Sequence, residues 1–272
     1  MKLLYLGDVV GKAGRDAVLK HLPEIRKKLG INFTIINGEN SAGGFGINEK
    51  TVNQLFDIGT DVITCGDHTF DQKETKFFIN KYSGLLRPHN FPKHLPGRGY
   101  NIYNIAVKKI LVIHLQCQIF MKYQVNCPFE SITEILEKYK MGKDIDYIFV
   151  DLHGEATSEK MAFAHFVDGK VSAVVGSHTH IPTADVQILP SGTAYHTDAG
   201  MCGDYDSVIG FKKRVCITNF SNKIRGEKME TADNESTVCG TYIEIDDVTG
   251  RAKNIDYVRV GGRLKQHLPS PN

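Results

Sequence analysis

Two histidines, His178 and His180, directly follow an apolar run at residues 171–175. A short apolar run of this kind predicts a buried strand. Imidazoles one residue apart can both face one site where a strand breaks into a loop, and they are common ligands for iron, manganese and zinc. A pair of core or surface histidines explains the motif alone equally well. A metal site therefore requires further ligands elsewhere in the chain.

Further metal-competent side chains follow other predicted strands, and these are Asp8, Glu39, Asn40, Asp67, His68 and His153. Taken singly, each has a structural explanation: Asp8 can cap a helix, Glu39 can be a solvated loop charge and His153 can be a core histidine. Sites in open α/β sheets gather beyond the carboxyl ends of strands, so we expect these residues to lie together. Carboxylates and imidazoles in one place predict a dinuclear centre, in which a bridging water becomes an attacking hydroxide.

The strands that carry these residues alternate with helices. The predicted strands are at residues 2–6, 33–36, 61–65, 146–150 and 171–175, and the predicted helices are at 15–29, 48–58, 72–80, 129–139 and 158–166. Successive strand–turn–helix units indicate an α/β fold. The remaining predictions are a hairpin at 100–115, short strands at 184–189 and 193–197, antiparallel strands within 238–260, loops at 116–128 and 198–206, a charged connector at 223–235 and a loose tail at 269–272.

The totals are those of a soluble globular protein. The chain has 272 residues, of which 41% are hydrophobic and 24% are charged, and a formal net charge of +2. We expect one domain over 1–272, and a charge this small argues against a dedicated nucleic-acid coat. No apolar stretch approaches the roughly 20 residues of a membrane span. The 6 cysteines are scattered, which predicts reduced thiols and a cytoplasmic location.

The motifs resemble, in their order along the chain, those of calcineurin-like metallophosphoesterases. They are Gly7-Asp8, Gly38-Glu39-Asn40, Gly66-Asp67-His68, His153 and Gly176-Ser177-His178-Thr179-His180. More narrowly, the chain resembles the bacterial YmdB-like subfamily in Gly7-Asp8-Val9-Val10-Gly11, Asp151-Leu152-His153-Gly154-Glu155 and Thr197-Asp198-Ala199-Gly200-Met201. The resemblance implies a four-layer α/β/β/α sandwich with mixed sheets.

The resemblance also implies a role for each candidate residue. One metal would be held by Asp8, Glu39 and His180, with Asn40 assisting or binding phosphate. The second would be held by Glu39 as bridge and by Asp67, His153 and His178. His68 would protonate the leaving oxygen or contact a phosphate oxygen. The implied activity is hydrolysis of cyclic nucleotides, 2′,3′-cyclic ones first and 3′,5′-cAMP second.

Three of the chain's departures from the family pattern concern the metal site. Val10 replaces the histidine of an Asp-x-His motif, and Glu39 replaces a bridging aspartate; the YmdB-like group shares both changes. Asp67 stands where the family has asparagine. Its added negative charge should tighten divalent-metal binding while making the site less favourable for an anionic substrate.

The sequence leaves several alternatives open. The same centre could serve a phosphomonoesterase or a nuclease, or a low-turnover regulatory or RNA-interacting protein. We expect two iron or manganese ions per chain, with zinc as an alternative, and a small phosphodiester as substrate. Nucleic acid is not indicated as a partner, no membrane partner is expected, and a homo-oligomer is left open.

Overall fold

Two six-stranded sheets form the centre of the protein in a computed structural model, which describes residues 1–222 and 227–270. The strands are β1 (Lys2–Leu6), β2 (Asp8–Val9), β3 (Phe33–Asn37), β4 (Val62–Thr64), β5 (Leu85–Leu86), β6 (Tyr100–Ile105), β7 (Lys108–Gln116), β8 (Tyr147–His153), β9 (Ala173–Ser177), β10 (Gln187–Ile188), β11 (Ala194–His196), β12 (Met201–Cys202), β13 (Val238–Ile245) and β14 (Ala252–Val260). The helices are α1 (Gly11–Leu29), α2 (Glu49–Asp57), α3 (Thr75–Phe78), α4 (Pro128–Lys138), α5 (Thr157–Phe166) and α6 (Lys213–Asn222).

Both large sheets are mixed. The first has the order β14-β13-β1-β3-β4-β5, with parallel pairing from β1 to β5 and antiparallel pairing from β1 to β14. The second has the order β10-β11-β9-β8-β7-β6, with a parallel centre and an antiparallel strand at each edge. A small parallel pair of β2 and β12 lies apart from both. Parallel neighbours bring their carboxyl ends to the same edge of each sheet.

The core between the sheets follows from the alternation of side chains along the strands. In β1, Leu3 and Tyr5 belong to the cluster between the sheets, whereas Leu4 and Leu6 belong to the cluster under the helices. Phe149 of β8 meets Tyr5 from the opposite sheet, with 5.5 Å between ring centroids. Strands buried on both faces read as continuous apolar runs, because neither face is solvated.

Helices cover the outer face of each sheet. Helices α1 and α2 supply Val18, Leu22 and Leu55 to the outer core of the first sheet. Helices α4 and α5 supply Ile132 and Phe163 to that of the second. The predicted four-layer α/β/β/α sandwich with mixed sheets is therefore confirmed. Within residues 1–222 and 227–270, no helix has the length and apolar character needed to cross a bilayer.

Several predicted elements differ in the structure. The helix predicted at 72–80 is only Thr75–Phe78 and a 3₁₀ turn at Ile79–Lys81. The Gln72 side chain, which precedes this helix, donates to the carbonyls of Ala42 and Phe45. Helix α6 was not predicted, since it buries only Val215 and Cys216 and shows no apolar stripe. Of the predicted connector and tail, residues 223–226 and 271–272 lie outside the described part of the chain.

Candidate metal centre

The ends of strands from both sheets bring the predicted site residues together. From the first sheet, Asp8 begins β2 just after β1, Glu39 and Asn40 follow β3, and Asp67 and His68 follow β4. From the second sheet, His153 ends β8, and His178 and His180 follow β9. All but His68 and His178 are buried. The expectation that these side chains share one edge of the sandwich is confirmed by their positions.

His153 occupies the middle of the cluster. Its Nε2 atom lies 2.8 Å from Glu39 Oε2, 3.2 Å from Asp67 Oδ1 and 3.1 Å from His178 Nδ1. Ligand atoms of Asp67, His153 and His178 converge within 4.8 Å, as do those of Asp8, Glu39 and His153. Glu39 belongs to two of the three such groups among the described residues, and its carboxylate, with two oxygens, is the ligand type that can serve two neighbouring cations.

His180 and Asn40 form the opposite side of the cluster, with 3.3 Å between His180 Nε2 and Asn40 Oδ1. The His180 Nδ1 donates to the carbonyl of Ile209 at 2.8 Å, and the Asn40 amide nitrogen donates to the carbonyl of Gly44. In a neutral His180 ring, the Nε2 lone pair and the Asn40 oxygen are therefore two acceptors that face each other. A cation between acceptors removes this repulsion. His180 is not in any of the three-residue groups around His153.

A hydrogen-bonded chain behind His153 sets its tautomer. Ser177 Oγ donates to Asp151 Oδ1 at 2.8 Å and therefore accepts from His153 Nδ1 at 2.9 Å. When the ring is neutral, as a metal ligand must be, its hydrogen is on Nδ1 and its Nε2 lone pair faces the cluster. Burial would lower the pKa of His153, but the Glu39 carboxylate raises it, so without a cation the ring also carries a hydrogen on Nε2. Such support of a ligand histidine by a further polar partner is typical of metal sites.

The cluster has the properties of a cation site in three further respects. Asp8 Oδ1 is buried with no hydrogen-bond partner among the described residues, although buried polar atoms are normally bonded. A Cβ atom on Gly66 would lie 2.1 Å from Glu39 Oε2 and 2.4 Å from His153 Nε2, so only glycine leaves the space between them open. His178 and His180 have φ of 101° and 66°, a strained conformation that clusters at functional sites. The residues present fit bound metal.

Burial and the neighbouring charges shift the acidities in this cluster. Burial raises the pKa of Asp8 to about 6, against the opposing effect of His180 and His153. Burial would also raise the pKa of Glu39, but the His153 imidazole beside it lowers that pKa. The pKa of Asp67 is lowered in spite of burial, because its carboxylate is hydrogen-bonded to His153 and His178. A cation would stabilise all three carboxylates in their charged form.

Glu39 and His68 are held by local hydrogen bonds. Asn37 at the end of β3 accepts from the Glu39 N–H at 3.0 Å and donates to the Cys65 carbonyl, which joins the ends of β3 and β4. Glu39 Oε1 accepts from the His68 N–H at 2.8 Å. The His68 ring contacts Asp71 Oδ2 through Nδ1 at 2.8 Å and packs edge-on against Phe45. A His68 nitrogen also lies within 4.8 Å of ligand atoms of Glu39 and Asp67.

A buried ion pair holds the loop that carries His178 and His180. Lys160 Nζ donates to Asp198 Oδ2 at 2.9 Å and to the Ser177 carbonyl at 2.7 Å, and both side chains are fully buried. Asp198 also accepts from the N–H groups of Thr179 and Gly200. Burial would raise the pKa of Asp198, but the Lys160 charge lowers it.

The sequence predictions missed Lys160, Ser177 as a partner of His153, and the need for glycine at position 66. Lys160 had a detectable signal, since it lies on the same helical face as the buried Phe163 and Ala164. A lysine on an apolar helix face indicates a buried partner. Ser177 and Gly66 are short residues inside motifs, and their roles depend on contacts across the two sheets.

The fold is that of metallophosphoesterases. The structure superposes on that of a "novel phosphatase" from Mycoplasma pneumoniae with a TM-score of 0.90 and 33% identity, covering 96% of this chain and 93% of that one. It shares its fold with a putative 5′-nucleotidase from Staphylococcus aureus, with a TM-score of 0.63 at 14% identity over 96% of this chain and 54% of that one.

The chain belongs to the YmdB-like protein family, whose model matches residues 4–258. It is 42% identical over 260 residues to the "2′,3′-cyclic-nucleotide 2′-phosphodiesterase" of Bacillus subtilis (strain 168), covering 96% of this chain and 97% of the relative. The resemblance stated from the motifs is thereby confirmed.

We predict that Lys160→Met destabilises the fold by about 3–5 kcal/mol, because it leaves Asp198 charged, buried and unpaired. The measurement is the free energy of unfolding in urea. Lys138→Met is the matched control, since Lys138 is exposed on α4, and its effect should stay within about 0.5 kcal/mol. A loss below about 1 kcal/mol in Lys160→Met would show that the ion pair is dispensable.

We predict that Gly66→Ala abolishes stable metal binding, because the added methyl group would occupy the space between Glu39 and His153. The measurement is metal content by elemental analysis after loading with manganese. Gly142→Ala is the control, because a Cβ there meets no atom within 4 Å. Gly142 has a positive φ and Gly66 does not, so the control carries a backbone strain that Gly66→Ala avoids. Normal metal content in Gly66→Ala would contradict a metal site at this position.

Proposed function

We propose that the protein is a dinuclear metal-dependent phosphodiesterase that hydrolyses 2′,3′-cyclic nucleotides. The observation that carries the proposal is the convergence of buried carboxylates and imidazoles on His153, with Asp8 Oδ1 unpartnered among the described residues. The Bacillus subtilis relative, named for 2′,3′-cyclic nucleotides, supports the substrate. The broader prediction of a phosphoester hydrolase is confirmed by such relatives. Hydrolysis of 3′,5′-cAMP remains the second expectation.

The proposed ligand sets follow the cluster. Glu39, Asp67, His153 and His178 would hold one ion, and the convergence of the last three supports this set. Asp8, Glu39 and His180 would hold the other, with Asn40 beside His180. Bound divalent ions supply Lewis acidity to the phosphate and lower the pKa of an attacking water. Mixed nitrogen and oxygen donors suit iron and manganese, with zinc as an alternative.

The remaining residues of the cleft position the ester. His68 lies at the mouth of the metal centre, where Asp71 fixes its Nδ1 and its Nε2 is 3.9 Å from Asp67 Oδ2. We assign His68 the hydrogen bond to the leaving oxygen or to a phosphate oxygen. Asp67 adds a negative charge beside that position, which favours metal over anionic substrate and should limit turnover.

We further propose a cytoplasmic location. All 6 cysteines are free thiols, and most of them are buried, as is typical of proteins from reducing compartments. Three alternatives stay predictions. They are a phosphomonoesterase or nuclease activity on the same centre, a low-turnover regulatory or RNA-interacting role, and a homo-oligomer.

The test is elemental analysis combined with turnover assays on the purified, manganese-loaded protein. We expect about two metal ions per chain and hydrolysis of a 2′,3′-cyclic nucleotide in preference to 3′,5′-cAMP, a phosphomonoester and a single-stranded oligonucleotide. Faster turnover of the monoester or the oligonucleotide would replace the proposed substrate class. Two metals without turnover of any substrate would favour the regulatory alternative.

We predict that His68→Ala lowers kcat by at least about 100-fold, the usual contribution of a positioned proton donor or acceptor, while metal content stays near two per chain. The measurements are steady-state kinetics and elemental analysis. His178→Ala is the matched comparison and should lose metal, because His178 Nδ1 lies among the converging atoms. Loss of metal in His68→Ala would make His68 a ligand instead, as its distance to Glu39 and Asp67 allows.

A further inference from the structure

We propose that an apolar pocket next to Asp67 binds the nucleobase of the substrate, with Tyr123 as a stacking residue. The inference rests on the proposed function and specifies how the same site selects its substrate. This base pocket has a volume of about 320 Å³ and is lined by Asp67, Phe70, Phe91, Leu95, Tyr123 and Gln124, among others. Its size lies within the range of small-molecule sites, at the lower end.

The position of the base pocket connects it to the metal centre. Asp67 both lines the pocket and belongs to the converging metal ligands. Asp71 also lines the pocket and contacts His68 Nδ1 at 2.8 Å. A phosphoester at the metal centre would therefore have its remaining substituents within reach of the pocket. In a nucleotide, the ribose carries the base away from the phosphate, so a site for the base must adjoin the metal centre.

The lining of the pocket matches a heterocycle better than an aliphatic group. Phe70, Phe91 and Tyr123 offer aromatic side chains. Tyr123 is 41% exposed, although Lys122 Nζ lies over one face of its ring, 4.7 Å from the centroid. Bases stack on aromatic side chains whatever their sequence. The Gln124 amide and the Asp71 carboxylate provide polar groups that can meet the edge of a base. An acyl chain would make no use of these polar groups.

The segment that carries Tyr123 is held in place by hydrogen bonds before any ligand binds. The Asn90 amide donates to the carbonyls of Gln116 and Asn126, and its oxygen accepts from the Gln116 N–H. Gln118 donates through its side chain to the carbonyl of Val125. A wall that is already ordered loses little conformational entropy when it binds a ligand.

The opposite side of the metal cleft is a less suitable place for the base. Phe45 and Phe211 line it, but these rings stack on each other at 5.3 Å, and Phe45 also packs against His68. Each ring therefore has one face covered by the other. Ile209 and Met229 are the exposed apolar side chains there, at 46% and 36%. The Asp67 side is thus favoured, and the two sides can be tested separately.

The experiment compares two substrates with the same cyclic ester, adenosine 2′,3′-cyclic phosphate and methyl β-ribofuranoside 2,3-cyclic phosphate, which lacks a base. For the manganese-loaded wild-type protein, we expect a higher kcat/KM with the nucleotide. Tyr123→Ala should lower the ratio of the two kcat/KM values by about 10-fold, the scale of one lost base–aromatic stack. Tyr123→Phe should restore the ratio, because it keeps the ring.

Two further variants and a binding measurement complete the test. Phe220→Ala removes an aromatic ring that is 81% exposed on α6, and it should leave the ratio unchanged. Met229→Ala probes the opposite side of the cleft. Binding of adenosine 3′-monophosphate to the manganese-loaded protein, measured by calorimetry, should weaken in Tyr123→Ala and be retained in Tyr123→Phe.

The outcomes separate this inference from the proposed function. If the wild-type protein turns over neither cyclic ester, the proposed function fails, and retained adenosine monophosphate binding at Tyr123 would still support the pocket. If both esters are hydrolysed but the ratio is unchanged in Tyr123→Ala, the base pocket is wrong. A lower ratio in Met229→Ala instead of Tyr123→Ala would move the base to the other side of the cleft.

Discussion

The structure depends on a concentration of buried acceptor atoms at one edge of the sandwich. Carboxylates of Asp8, Glu39 and Asp67 converge on His153 with few donors to compensate them. Buried charge of one sign is unfavourable unless a counter-charge accompanies it. Glycine at position 66 leaves room for the side chains of Glu39 and His153. The hydrogen bond to Ser177 directs His153 Nε2 toward the carboxylates. The arrangement is therefore explained by a bound cation and not by side-chain packing alone.

A second buried charge explains how strained residues are tolerated there. His178 and His180 both have positive φ, which costs free energy that the surroundings must offset. Asp198 accepts from the Thr179 N–H between them, and Lys160 neutralises Asp198 from α5. The helix behind the second sheet thus holds the loop that presents two imidazoles. Fold stability and site geometry are coupled through this ion pair.

A metal centre of this kind does not choose among phosphoesters, because the cations act on the phosphate alone. Choice must come from the walls beside it. On the Asp67 side, aromatic and polar side chains form a preorganised pocket. On the Phe45 side, the aromatic rings are paired with each other. Family membership defines the reaction class of the protein. Under the proposal of a base pocket, the difference between the two sides of the cleft determines where the base of the substrate binds.

The sequence by itself determined the strand–helix order and the candidate ligands, because apolar runs ending in glycine and a polar residue reflect purely local rules. The sequence did not predict the length of α3, helix α6 or the short strands β2, β5 and β12, because these depend on contacts between distant segments. It also could not assign the partners of each ligand. Lys160 meets Asp198 across 38 positions, and His153 meets Asp67 across 86. Only the packing of the two sheets brings these residues together. The same packing sets the contact between Glu39 and His153 and forms the pocket beside Asp67.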